Sequence, residues 1–293
     1  GVVFNILARL LYQVVNDLLQ QARIVQAKLL STVNAFYPNM MTQLNSQILL
    51  DEMITTSEIE GEVLDRDSVR SSIINRLGLE DGGIAKTHDR YIEGLLDLVL
   101  DATQNYQQSL TLDRLCGWQA ALFPTGYSGI QKIIVGDLRG KGEMKIISGQ
   151  GRRFQVHYIA PPRETLAHEM NQFIHWFNHW QPNADLDGLV RAAIAHLWFE
   201  FIHPFDDGNG RLGRAIIEMA LAQDEQIDVR YYSVSKVILA KRKSYYQVLR
   251  QSNSSELDIT DWICWFLQAL IEAISAYMKL LDNIVKKHKF WQA

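Results

Sequence analysis

Cysteine and proline are scarce in these 293 residues, two and six respectively, and neither sign of charge dominates. Each scarcity excludes something. Cys116 and Cys264 stand far apart, without metal-ligand spacing, which argues against a cysteine-based zinc module. They fit two free thiols in a reducing cytoplasm, although spacing alone leaves a disulfide open. A formal net charge of −4 gives no general attraction for polyanions, so no nucleic-acid role is expected without a local basic patch. No stretch reaches the ~18 consecutive apolar residues of a membrane span. The nearest, GVVFNILARLLYQVV at the start, is interrupted by Asn5 and Arg9, and it lacks the flanks of a secretory signal. The chain opens on glycine and closes in the helical KKHKFWQA, which reads as a fragment of a longer protein.

What is present is helix. Residues 6–36 are rich in Leu, Val, Gln and Ala, contain no glycine, and end near Pro38. Residues 43–60 form a second helical segment with Gly61 as its C-terminal cap. Others follow at 67–77 and 88–104, separated by Gly78 and the pair Gly82-Gly83. Between 130 and 160 the pattern changes to short β-branched stretches broken by Gly-Lys-Gly and Gly-Gln-Gly, the signature of a small hairpin. Helices are expected again at 163–180, 186–202, 211–223, 234–251 and 259–288. The fold class expected is all-α with one small β-hairpin. The chain divides into an N-terminal helical region (1–105), a core (106–255) and a C-terminal helix (256–293) that leads towards a further domain.

Leu189, Val190, Ala193, Ile194, Leu197, Trp198, Phe201 and Ile202 recur at helical spacing, which by itself means core. The next twelve residues, HPFDDGNGRLGR (203–214), read differently. Pro204 ends the helix, and Gly208 and Gly210 let the backbone turn tightly and approach a ligand. A second helix then begins near Arg211. A glycine turn opening onto a helix N-terminus is an anion site, because the first amides of the helix have no internal acceptor. Arg211 and Arg214, three apart, share one side of that helix and add planar donors for phosphate oxygens. Asp207 is placed to hold Mg²⁺, which prefers carboxylate plus phosphate oxygens. His203 has the pKa range to take a hydroxyl proton near neutrality.

The run resembles the signature of the Fic domain family, His-Pro-Phe-x-Asp/Glu-Gly-Asn-Gly-Arg-x-x-Arg, at every specified position. The similarity extends through EIEGEVLD, VRSSIINRLGL, GWQAALFPTGYSG, IAHLWFEFIHPF and LDITDWICWFL. It implies a Fic core at 106–255 whose hairpin at about 130–160 is the flap that aligns a target segment, with Ile146 and His157 among its side chains. It implies a protein adenylyltransferase that moves AMP from ATP to a protein hydroxyl. His203 is then the base and Asp207 the Mg²⁺ ligand. Backbone amides of Gly208, Asn209 and Gly210, with the Asn209 and Arg211 side chains, hold the phosphates, and Arg214 reaches the γ-phosphate. Phe205 anchors the loop. RKSYYQVLRQSN resembles the segment over adenine, which places Tyr246 and Asn253 there.

Residues 56–61, Thr-Ser-Glu-Ile-Glu-Gly, resemble the family's inhibitory motif, Ser/Thr-x-x-x-Glu-Gly/Asn, on an N-terminal helix around 45–61. Thr56 and Glu60 share a helix face, and the resemblance implies that Glu60 pairs with Arg214 in place of the γ-phosphate. The partners implied are a target protein bearing a Ser, Thr or Tyr hydroxyl, with the chain itself among the candidates, and a second copy in a homodimer. No membrane and no nucleic acid are expected, and the location is cytoplasmic. Two alternatives stay open. One is an ATP-sensing regulatory module, and the other an enzyme that mainly removes AMP from its target. His157, His168, His175 and His179 lack zinc spacing. Trp176, Phe177 and Trp180 read as core, as do Trp262, Trp265, Phe266, Leu267, Leu270 and Ile271.

Overall fold

The computed structural model describes residues 12–33, 38–79, 89–150, 153–182, 185–252 and 258–292. The N-terminal part supplies α1 (Tyr12–Val33), α2 (Pro38–Ile59), α3 (Arg66–Leu77) and α4 (Arg90–Gln104). Next come α5 (Leu112–Leu122), a short ribbon of β1 (Tyr127–Ser128) and β2 (Gln131–Lys132), and the hairpin β3 (Lys145–Gln150) and β4 (Arg153–Ile159). The remainder is α6 (Arg163–Asn178), α7 (Gly188–Ile202), α8 (Asn209–Glu225), α9 (Val234–Ala240), α10 (Arg242–Gln251) and α11 (Thr260–Gln292). Both strand pairs are antiparallel, and β3–β4 runs in register from Lys145↔Ile159 to Gln150↔Arg153 with one irregularity at Ile146/Ile147. The all-α class with a small hairpin is therefore the fold.

At the centre α7 packs along α8, and nearly every residue of α7 is buried. A helix apolar on all sides has to sit inside others. Its neighbours are α6, α8 and α11, and Trp262 of α11 donates its Nε1–H to the Ala193 carbonyl at 2.8 Å. Helix α11 is long and apolar enough over Thr260–Asn283 to cross a bilayer by length and composition. Here Trp262, Ile263, Phe266, Leu267, Leu270 and Ile274 lie in the core, with α1 packed along the helix. Arg23 of α1 reaches Asp187 and Asp224 at the ends of the central pair.

Helix α2 is held against α9 by Glu52, which accepts a bond from Ser233 at 2.6 Å and a second from Ser235. Gly61, at φ 88°, ends its last turn, and Gly78 closes α3 with paired bonds to Asn75 and Ile74. Pro38 opens α2 rather than only ending the helix before it, a position where its missing N–H is harmless.

Two elements differ from the expectation. Residues 112–122 form an unanticipated helix, whose start is marked by Thr111 capping the Arg114 amide at 3.1 Å. The expected single helix at 234–251 is two, broken at Lys241 (φ −110°, ψ 25°). No glycine or proline marks that break. It lets Ile238 before it and Tyr245 after it both enter the core, a tertiary demand that local pattern does not record.

Candidate active site

Residues 203–214 form the turn from α7 into α8. Pro204 bars His203 from the right-handed helical region, and His203 instead adopts φ 47°, ψ 60° as the cap of α7. Its backbone is fixed from outside. Arg139, only 1 % exposed, donates Nε–H to the His203 carbonyl at 2.9 Å and its own amide to the Pro204 carbonyl at 2.9 Å. The imidazole Nδ1 faces the Glu200 carbonyl at 3.3 Å. With the proton on Nδ1, Nε2 is left as the basic nitrogen. Burial is the largest influence on the half-buried ring and pushes its pKa down to about 4. The Glu200 carbonyl acts upwards, Arg139 downwards, and Glu60 and Asp207 upwards. The ring is therefore neutral at physiological pH.

The loop is pinned at Phe205, which is fully buried. The Asn209 amide group brackets it, accepting from Phe205 N at 3.0 Å and donating to Phe205 O at 2.8 Å. This corrects the expectation that the Asn209 side chain reaches phosphates, because both its polar ends are occupied inside the loop. Gly208 sits at φ 92°, and a Cβ there would also meet the Phe123 ring at 3.0 Å. It begins α8 without any side-chain cap, so the first amides of α8 keep their donors for a ligand.

The charged groups converge on that helix start. Asp207, about two-fifths exposed, accepts from Gly208 N at 2.5 Å and from Ser128 Oγ, and lies 3.4 Å from Arg211 Nη2. Asp206 instead ties the loop to the ribbon by accepting from Ile134 N at 2.8 Å. Arg211 is 2 % exposed and lies against the Phe123 and Tyr91 rings. Its Nη1 donates to Glu62 at 2.9 Å and to Tyr91 Oη at 2.7 Å, and Tyr91 in turn donates to Glu62. Arg214, equally buried, donates Nε–H to Thr56 Oγ1 at 2.7 Å, and Nη2 to the Thr56 carbonyl at 2.9 Å and to Glu60 Oε1 at 2.7 Å. Burial alone would lower the Arg214 pKa, but the Glu60 carboxylate together with Tyr245 and Tyr246 more than offsets it and the pKa is raised. Gly210 makes room for this pair: a Cβ there would lie 2.2 Å from Glu60 Oε1.

His203, Asp207, Gly208, Gly210, Arg211, Arg214, Thr56 and Glu60 are thus brought to one place. Tyr246 stands beside them, its hydroxyl 3.4 Å from the Ile59 carbonyl. Asn253 and the side chains of Ile146 and His157 fall outside the described residues. Elsewhere, His175 stacks on His179 and His168 bonds Gln172. No group of three or more His, Cys, Asp or Glu among the described residues is placed to hold a metal.

Sequence reasoning missed Glu62, Tyr91, Ser128, Arg139 and Glu200. Only Glu200 carried a local signal, one turn before His203 on the same helix face. One of its carboxyl oxygens is buried without a partner. Burial first, then the nearby Glu60 charge, push its pKa up to about 8, with Arg214 opposing.

Comparison with known proteins fits this geometry. Residues 109–221 match the Fic/DOC family, and residues 11–79 match a domain of unknown function, DUF4172. A protein adenylyltransferase Fic of Drosophila grimshawi is 34% identical over 117 residues, 38% of this chain and 22% of that protein. A probable protein adenylyltransferase of Aquifex aeolicus is 29% identical over 91 residues, 31% of this chain and 28% of that one. These matches span less than a third of the length of either relative. In fold, a Fic family protein of Desulfovibrio desulfuricans covers 93% of this chain and 76% of its own, with a TM-score of 0.70 and 22% identity. A fragment of C. elegans Fic-1 covers 92% and 74%, with a TM-score of 0.65 and 16% identity. The uncapped helix start, the histidine before it and the two arginines after it therefore lie within a Fic/DOC family domain, which this chain carries at residues 109–221.

Proposed function

We propose that this chain transfers AMP from ATP to a hydroxyl side chain of a protein, and that its own α2 holds the activity down. The observation that carries the reading is the uncapped start of α8, flanked by His203, Asp207, Arg211 and Arg214. Free amides and two guanidinium groups suit a triphosphate. A neutral imidazole suits a base and is of no use to a mere ATP sensor. The reading assigns His203 Nε2 to take the proton of the acceptor hydroxyl as its oxygen attacks the α-phosphorus, with pyrophosphate leaving. The loop amides and arginines hold the phosphates in line.

Asp207 fits as a Mg²⁺ ligand. It is one accessible carboxylate beside a phosphate cradle, and Mg²⁺ is commonly held by one or two carboxylates plus phosphate oxygens. When bound, the ion would neutralise phosphate charge. Ser128 steadies Asp207 in this role. Tyr127, Ile130 and Ile134 are exposed on and beside the ribbon that contacts Asp206 and Asp207. They are the apolar surface on which a target segment would lie.

The brake follows from the two arginines. Glu60 occupies Arg214 and Glu62 occupies Arg211, so neither guanidinium is available to phosphate until the α2 turn withdraws. A hydrogen bond to a charged group is worth about 1.5–3 kcal/mol. Regaining Arg214 should therefore tighten productive ATP binding by about ten- to a hundredfold.

The test is transfer of label from α-labelled ATP to protein. Glu60→Gly should label itself or added protein strongly, wild type weakly, and Glu60→Gly/His203→Ala not at all. Glu62→Gln should add to the Glu60→Gly effect. ATP binding without transfer in Glu60→Gly would replace the enzyme reading with that of a sensor. Glu60→Gly activity equal to wild type would remove the brake.

A further inference from the structure

The base is set from outside its own helix. We infer that Arg139 is a positioning residue for the transfer reaction, which joins the stem of the flap to His203 and keeps that imidazole oriented. The inference rests on the AMP-transfer reading for its rate measurement and on the fold alone for its titration measurement.

Arg139 lies between β2 and β3, on the segment that leads into the hairpin. It carries a charge at a site only 1 % exposed, where an apolar side chain would fill space without the desolvation penalty. What an apolar side chain could not do is bond two backbone carbonyls from two other segments. Nε–H goes to His203 O and Nη2 to Pro161 O at the foot of α6, whereas the third bond, to Pro204 O, comes from the backbone amide whatever the side chain. The planar fork of arginine suits such divergent acceptors, and lysine's single ammonium does not.

Two consequences follow for His203. Its left-handed backbone (φ 47°) is a sparsely populated conformation for a residue with a Cβ, and it persists where surrounding bonds over-determine it. Arg139 supplies two of those bonds, on consecutive carbonyls, and so sets the direction in which the imidazole leaves the chain. The guanidinium also faces the ring as a like charge to imidazolium. The other charged groups acting on the ring are Glu60 at the end of α2 and Asp207 in the loop, while Glu200 on α7 reaches it only through its backbone carbonyl. Of these, Glu60 and Asp207 favour the protonated ring, and Arg139 opposes them. A displacement of the flap stem would therefore be felt at the base in both position and pKa.

The experiment uses the full chain in the Glu60→Gly background, with Arg139→Met and Arg139→Lys compared against Arg139. The His203 imidazole is titrated by heteronuclear NMR, and AMP transfer is measured above the titration range. Arg139→Met should raise the His203 pKa by about half a unit or more and slow transfer by roughly tenfold or more. Arg139→Lys keeps the charge but not the fork, so the titration should stay near the parent while transfer still falls about tenfold. An unchanged His203 titration in Arg139→Met, or parental transfer by Arg139→Lys, overturns the inference. If Arg139→Met does not fold, the lysine variant decides alone. If the Glu60→Gly parent transfers no AMP, the proposed function fails, and the titration still tests Arg139.

Discussion

At the residue scale, the site depends on buried polar groups that few neighbours satisfy. His196 is fully buried, with Nε2 2.7 Å from Tyr245 Oη and Nδ1 without a partner. Burial pushes its pKa down to about 3. Glu200, one turn further on, has its pKa pushed up to about 8. A carboxyl raised in this way contributes stability that is fully present below its ordinary pKa and is lost as pH rises through about 8. Wild type should therefore lose stability progressively between pH 4.5 and about 8, and Glu200→Gln should flatten that slope. Denaturant midpoints across this range check it, and an equal slope in both proteins would show Glu200 to be ionised throughout. The same residue explains Gly213, whose Cβ would lie 2.6 Å from Glu200 Oε1. The glycine preceding the second arginine is thus a packing requirement of α7 on α8 as much as part of a motif.

Among elements, close crossings fix where the turn carrying Glu60 meets the loop. Helix α4 carries Tyr91 at one end and crosses α5 at Gly94, where a Cβ would meet the Ala121 carbonyl oxygen at 1.9 Å. That neighbour is backbone and cannot rotate away. Gly94→Ala should destabilise the protein by about 1–3 kcal/mol, read by urea unfolding. It should also weaken the Tyr91–Arg211 contact, because α4 must shift. A neutral Gly94→Ala would mean that α4 and α5 slide apart freely. Helix α2 is fastened differently, by Glu52 to the start of α9, two turns before Glu60. The proposed brake would thus be the end of an anchored helix. The sequence made the ends of α2 and α3 legible through Gly61 and Gly78, because caps are local. It did not make the break at Lys241 legible, because that break answers to the core.

For the whole molecule, helices outside the two matched regions tie those regions together. Helix α1 lies along α11 and α2 on α9, both beyond residue 221, and α4, between the regions, lies on α8, so the N-terminal helices and the helices flanking the loop share one core. Thermal unfolding should accordingly be a single transition. Trp262→Ala, at a fully buried ring bonded to α7, should lower it by about 3–5 kcal/mol for both regions together. Calorimetry and tryptophan fluorescence check this. Two separated transitions would mean that the regions fold independently.

The sequence by itself determined the loop: proline after histidine, glycines at the turn, and two arginines one turn apart dictate a tight bend opening onto a helix N-terminus through backbone sterics and helix geometry alone. It also determined the helical class, because apolar periodicity is local. Only the tertiary structure decided which charges meet that loop. Glu62, Tyr91, Arg139 and Ser128 come from segments up to 149 residues away, and Asn209 turned inward to brace Phe205. Pairing of buried charges across a core depends on how helices pack, and no spacing along the chain encodes it.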